Sequence, residues 1–291
     1  MTFDRFVIVD WSAANAPRTG RNSIWIARHG CSSDHTTNAA TRAAAMLEIE
    51  AEIAEALAAG ERLFVGFDFA FGYPSDACFL PGDGRWTDVW SSFAATVEDD
   101  DRNRTNRFDV ADRLNGMVDG VGPFWGHPWQ HRGRYENLAA ERPDYAALGL
   151  REKRHVDARV RSAQPVWKLA YPGSVGSQTL TGISRLERLR SGIHAADIAI
   201  WPFETAFADD LSKPITVAEI YPSLFLVDRT LGKTLDEAQV RTLAAGFAKL
   251  EADGRFAAML DGPRNLGANV RADALSHEGW IVGFADEALP L

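Results

Sequence analysis

Four carboxylates stand where an apolar chain has little reason to carry charge. Asp10 closes the run at residues 6–9 and is followed by Trp11. Asp68 interrupts residues 62–69 (RLFVGFDF) near their end. Glu219 sits inside residues 215–222 (ITVAEIYP), and Asp273 lies between Ala272 and Ala274. An unpaired carboxylate costs several kcal/mol to bury, or is neutralised, so each is expected where its strand or helix leaves the core. Asp10 either caps its own turn or points at something positive. If the first two strands are parallel neighbours, Asp10 and Asp68 come side by side. At ~5 Å and an effective dielectric near 20, two such charges repel by about 3 kcal/mol. That tension calls for a shared proton, an Arg or Lys partner, or a divalent cation. The small residues around Asp273 allow its helix to approach the sheet closely and bring this acid toward the strand ends. Hard oxygen donors without a His/Cys cluster favour Mg²⁺ or Mn²⁺ over zinc.

The elements that must position these acids can be read from the residue pattern. Residues 5–27 predict a strand, a wide polar hairpin with Asn15, Pro17 and Gly20, and a returning strand. Residues 30–38 hold a short edge strand or a loop. Residues 39–59 predict a helix ended by Gly60, with Met46, Ile49, Ile53 and Leu57 as its buried stripe. Glu48, Glu52 and Glu55 fall on its solvated side, and Glu50 beside the stripe. Two further strands are expected at 199–204 and 215–222, and an amphipathic helix at 234–254. The PGSVGS tract at 172–177 could act as a backbone nest for an anion, with Lys168 and Arg185 nearby. Ser12, Lys168, Gln178 and Arg185 are the candidate substrate contacts.

Between residues 75 and 164 the regular pattern fades into a stretch rich in Trp and Arg. Residues 131–168 carry nine Lys/Arg against five Asp/Glu, in a chain whose formal charge is −9. A lid or a substrate groove fits this stretch, as does a solvated helical face whose tryptophans serve as core. Residues 1–74 and 165–291 are expected to form one core, with 75–164 as a helical and loop insertion. The acidic balance excludes a general nucleic-acid coat and an anionic-membrane binder. Two cysteines are too few for a disulfide framework or a structural zinc site. No apolar run is long enough to span a membrane, and the start of the chain has no signal-peptide pattern. A cytoplasmic protein is expected.

In the order and spacing of Asp10 before a long hairpin, FDFAFGYP with Asp68, AEIYPSL with Glu219, and a late Asp-Ala-Leu at Asp273, the chain resembles the ribonuclease-H-like superfamily. In particular it resembles a bacterial domain-of-unknown-function family of predicted RNase-H-like nucleases. The resemblance covers both ends of the chain and omits 75–164. It implies an α/β fold with a mixed five-stranded sheet, three antiparallel strands followed by two parallel ones, flanked by helices. It further implies metal-dependent hydrolysis of phosphodiester bonds, with Asp10, Asp68, Asp273 and Glu219 holding Mg²⁺ or Mn²⁺ and nucleic acid or a nucleotide as partner. Paired acids are common on the last helix of such nucleases; here Val270 and Ser276 flank Asp273 by a turn, so Glu219 or Glu50 would supply the missing ligand. The same core serves actin-like ATPases, which would use Ser12, Asn15, Thr19 and Gly20 for phosphates. It also serves non-catalytic binding proteins, for which the Trp-rich insertion would be a partner surface.

Overall fold

Strand β1 (Arg5–Asp10) is at the centre of the molecule because its residues alternate between two apolar layers, with Phe6 and Ile8 on one side and Val7 and Val9 on the other. A computed structural model describes residues 2–31 and 34–285. β1 pairs antiparallel with β2 (Ile24–His29), which pairs antiparallel with the short edge strand β3 (Thr36–Ala39). On its other side β1 pairs in parallel with β4 (Leu63–Phe67), in the register Val9 to Phe67. β4 continues in parallel to β6 (Ile215–Glu219), and β6 to β5 (Ile198–Trp201). The sheet order is β3-β2-β1-β4-β6-β5. The antiparallel and parallel halves agree with expectation, but there are six strands, not five. The additional one is β5, whose four residues are all buried and which closes the parallel edge.

Both faces are covered. Helices α1 (Arg42–Ala59) and α5 (Gly176–Arg190) pack with Val7, Val9, Ile26, Val65 and Phe67. Helix α6 (Leu235–Ala252) packs Val240, Leu243 and Phe247 against Phe6, Ile8 and Phe64. Caps set the helix limits: the Thr41 side chain accepts from Ala44 N–H, and Gly60 ends α1 at φ 68°. Gly182 is required where α5 crosses Phe69, since a Cβ there would lie 2.3 Å from the ring. Among the α1 glutamates, Glu50 is exposed, so it faces away from the strand ends. Glu52 corrects the reading of a wholly solvated face: it is buried and paired with Arg28 of β2, which also holds Glu48 at 2.8 Å.

Residues 75–164 contribute helices α2 (Trp86–Thr96), α3 (Arg107–Asn115) and α4 (His155–Arg159), joined by loops and isolated bridges. Trp86, Trp90, Phe93, Phe124 and Tyr145 are buried in the same apolar cluster as Val7 and Val65. The insertion is thus fused to the core, and most of its large aromatics serve as packing; Trp129 is the exposed exception. No helix among the described residues is long and apolar enough to cross a membrane.

One buried ion group ties these parts together. Asp99 follows α2 and has a fully buried side chain; it receives Arg42 Nη2 at 2.6 Å and Arg185 Nε at 2.8 Å. Arg42 also donates through Nη1 to the carbonyls of Ser12 and Ala14 at 3.0 and 2.8 Å, joining α1 to the loop after β1. Removing the acid would strand two buried guanidinium groups. Asp99→Ala is therefore expected to lower the unfolding free energy by about 3–5 kcal/mol, read as a shift of the urea midpoint. Arg104→Ala, which breaks an exposed pair, should leave the urea midpoint essentially unchanged.

Candidate functional site

The ends of β1 and β4 bring two carboxylates together. The ladder continues past the named strands, with Asp68 N–H donating to Val9 O at 3.3 Å. The register that aligns Val9 with Phe67 then sets Asp10 beside Asp68. Strand alternation puts both in the rows of Ile8 and Gly66, toward α6. Trp11 N–H donates to Asp68 Oδ1 at 2.7 Å. Both acids are half-buried, and among the described residues neither has a cationic partner. Burial, then the Asp68 charge, holds the Asp10 carboxyl well above the usual carboxylate range. Burial also pushes Asp68 up to about 6, against the hydrogen bonds from Trp11 and Asp10 that favour its ionised form. The opposite signs of the mutual hydrogen-bond contribution, raising Asp10 and lowering Asp68, make Asp10 the member of the pair that holds a proton more tightly.

A third acid, Asp236, which was not singled out from the sequence, acts on this pair through its charge, though its oxygens do not lie within 4.8 Å of both. The first turn of α6 places it: Thr234 caps the helix by accepting from Glu237 N–H at 3.1 Å, and Glu237 returns to Lys233 N–H. Asp236 Oδ2 accepts from Asn22 N–H at 2.7 Å, and its charge raises both Asp10 and Asp68. The Thr-Leu-Asp-Glu signature at 234–237 reads as an ordinary helix start, where an acid is favourable by itself. Only packing of α6 against β1 shows that this acid also acts on the strand ends.

The other two expected acids belong elsewhere. Glu219 lies in the row of Phe67, one residue short of Asp68, and is buried. Arg154 grips it with Nη1 and Nη2 at 2.7 and 2.6 Å, and Phe71 N–H donates to it at 3.0 Å. Burial still raises Glu219 to about 7. Arg154 also engages Asp157 through Nε and Nη2, at 2.8 and 2.9 Å, so one guanidinium is shared by two buried carboxyls. Asp273, in α8 (Ala268–Asp273), accepts from or donates to His155 Nε2 at 2.9 Å rather than joining Asp10. His155, Asp273 and Glu278 are the one such group among the described residues whose potential ligand atoms lie within 4.8 Å of one another. Glu278 is already consumed by Arg151 at 2.6 Å and by the Ser75 and His155 N–H groups. That cluster reads as a satisfied ionic hub holding the last helical segment.

The expected substrate contacts divide the same way. Arg185 is committed to Asp99, and Lys168 donates to Pro172 O at 2.7 Å with its ammonium over the Trp125 ring. Ser12 and Gln178 do line an open cleft of about 680 Å³, together with Arg107, Tyr171 and Ser174. Gln178 Nε2 donates to Trp11 O at 2.6 Å, which ties α5 to the residue after Asp10. Comparison with known proteins returns no matching family model, no matching curated protein and no matching solved structure.

The raised carboxyls have a direct consequence for stability. A carboxyl whose folded pKa lies above its unfolded value stabilises the fold below the unfolded value, and that contribution is lost as pH rises through the folded value. For Asp68 the window runs from the ordinary carboxylate range to about 6. In chelator-treated protein, raising the pH from 4 to 7 should therefore remove on the order of 2 kcal/mol from this pair. Asp10→Asn should flatten that part of the profile and raise the unfolding free energy at pH 7, as measured by urea titrations across the range.

Proposed function

We propose that this protein is a divalent-metal-dependent, nuclease-like hydrolase of phosphodiester bonds. The observation that carries the reading is the Asp10–Asp68 pair: two carboxyls side by side at strand ends, both held above the ordinary carboxylate range and lacking any cationic partner among the described residues, with the charge of Asp236 acting on both. The donor set is all hard oxygen, which suits Mg²⁺ or Mn²⁺. Asp10 and Asp68 would hold the ion; Asp236, whose oxygens do not lie within 4.8 Å of both, would add negative charge around it, while Glu219 and Asp273 are committed to Arg154 and His155. The chemistry such an ion supplies is activation of water and stabilisation of the leaving oxygen. The chain's own part is to hold the acids on rigid elements. Asp10 and Asp68 extend paired strands, Trp11 N–H fixes one oxygen of Asp68, and the capped start of α6 fixes Asp236. Ion binding would displace the proton that Asp10 holds, so affinity is expected to weaken as pH falls below about 6.

Calorimetric titration with Mn²⁺ checks the assignment. Wild type should give binding heat, the doubly substituted Asp10→Asn, Asp68→Asn protein none, and Asp236→Asn an affinity between the two. Asp273→Asn should titrate like wild type. Cleavage of labelled single- and double-stranded oligonucleotides in Mn²⁺ should follow the same order. A wild type without Mn²⁺ heat rejects the reading.

A further inference from the structure

We infer that the cleft lined by Ser12 and Gln178, which starts two residues after Asp10, docks the phosphate of a nucleotide unit, held by Arg107 and the first turn of α5, with the Tyr171 ring as a platform for the base. The inference rests on the phosphodiester reading above and specifies where the substrate lies.

Arg107 is the leading observation. It is only 8% exposed and lines the cleft. Its Nε donates to Ser177 Oγ at 2.9 Å and its Nη1 to Asn15 Oδ1 at 3.0 Å, while Nη2 has no acceptor among the described residues. The other buried arginines, Arg5, Arg28, Arg42 and Arg154, each carry a carboxylate partner. Arg107 has none among the described residues. Burial, and next the charge of Arg42, pull its pKa down to about 10 against the opposing charge of Asp99, which pairs directly with Arg42 and Arg185 instead. A buried guanidinium in this condition is stabilised by an incoming anion, and its planar fork suits phosphate.

The second observation is the start of α5, a 15-residue helix that opens at Val175 without a side-chain cap. Gly176 N–H is used by Lys168 O at 2.9 Å. The Ser177 and Gln178 N–H groups have no acceptor among the described residues, and both residues line the same cleft as Arg107. Orphan N–H groups and the positive helix end together favour a phosphate. The third is Tyr171, which lines the cleft with about half of its surface exposed and is held at φ 73°, an uncommon conformation for an aromatic residue. Its hydroxyl donates to His127 O at 3.0 Å, which steadies the ring. Bases stack on such a ring without sequence preference.

The test uses the full chain in chelator, so that the acids at Asp10 and Asp68 do not contribute metal binding. The probes are a short fluorescent oligothymidylate read by anisotropy, and thymidine 5′-monophosphate and inorganic phosphate read by calorimetry. Wild type is expected to bind the oligonucleotide, with Arg107→Met and Ser174→Asp each at least tenfold weaker. Tyr171→Gly, which removes the ring and suits the positive φ, should weaken the oligonucleotide and leave inorganic phosphate unchanged. If Arg107→Met fails to fold, the partly exposed Ser174 and exposed Tyr171 positions carry the test. A monophosphate that binds as well as the oligonucleotide would mark a terminal phosphate, and a tighter oligonucleotide an internal one; both belong to the inferred class. A wild type that binds none of the probes, or variants that bind like wild type, overturn the inference. Mn²⁺ heat retained alongside such a failure leaves the metal reading standing. Oligonucleotide binding without Mn²⁺ heat rejects the metal reading and keeps the docking site.

Discussion

Two acids at the ends of adjacent parallel strands cannot both ionise cheaply, and much of the molecule bears on how that conflict is held. The β1–β4 register forces Asp10 and Asp68 together, and burial raises both carboxyls. The core could remove the tension with a single arginine, as it does for Glu219 with Arg154 and for Asp99 with Arg42 and Arg185. That these buried acids have arginine partners, and the strand-end pair has none among the described residues, is what separates the pair from the structural ion groups. Unrelieved electrostatic stress at a half-buried position is the feature on which the metal-site proposal rests.

The parts of this arrangement that depend on local pattern were legible from residues alone. Apolar runs with a terminal acid gave β1, β4 and β6, and Ala/Glu-rich residues between Thr41 and Gly60 gave α1. The pairing of Asp10 with Asp68 followed from two similar strand ends, since parallel neighbours must bring equivalent positions together. What failed were inferences that needed to know which cation goes where. Glu219 has the same sequence flavour as Asp68, but a one-residue difference in register puts it beside Arg154, and that arginine comes from the insertion, 65 residues away in the chain. Asp273 was expected at the strand ends on the grounds of small neighbours, yet His155 holds it. Lys168 and Arg185 looked available because charge in a sequence carries no mark of commitment.

Asp236 and Arg107 were missed for complementary reasons. The acid was hidden by a sufficient local explanation, since a helix start wants one in its first turn whatever it faces. The arginine was hidden in a segment of weak periodicity, where one guanidinium among many has no distinguishing signal until its lack of a carboxylate is seen. The sixth strand was in plain view at residues 199–204, and the five-stranded expectation came from the resemblance alone. The Trp-rich stretch shows the opposite lesson: Trp86 and Trp90 are ordinary core, and only Trp129 of the insertion's tryptophans stands well out of it.

The Arg42 clamp on Ser12 O and Ala14 O has a consequence for how a ligand is received. The hairpin side of the cleft is bolted through Asp99 to α5 and to the segment that leads into α3, and α5 and α3 form the opposite side. Neither jaw can swing without rupturing the buried Arg42–Asp99 pair, so the gap behaves as a fixed caliper rather than a hinge. Selection would then operate by width and shape at first contact, with little ordering of the protein left to oppose association.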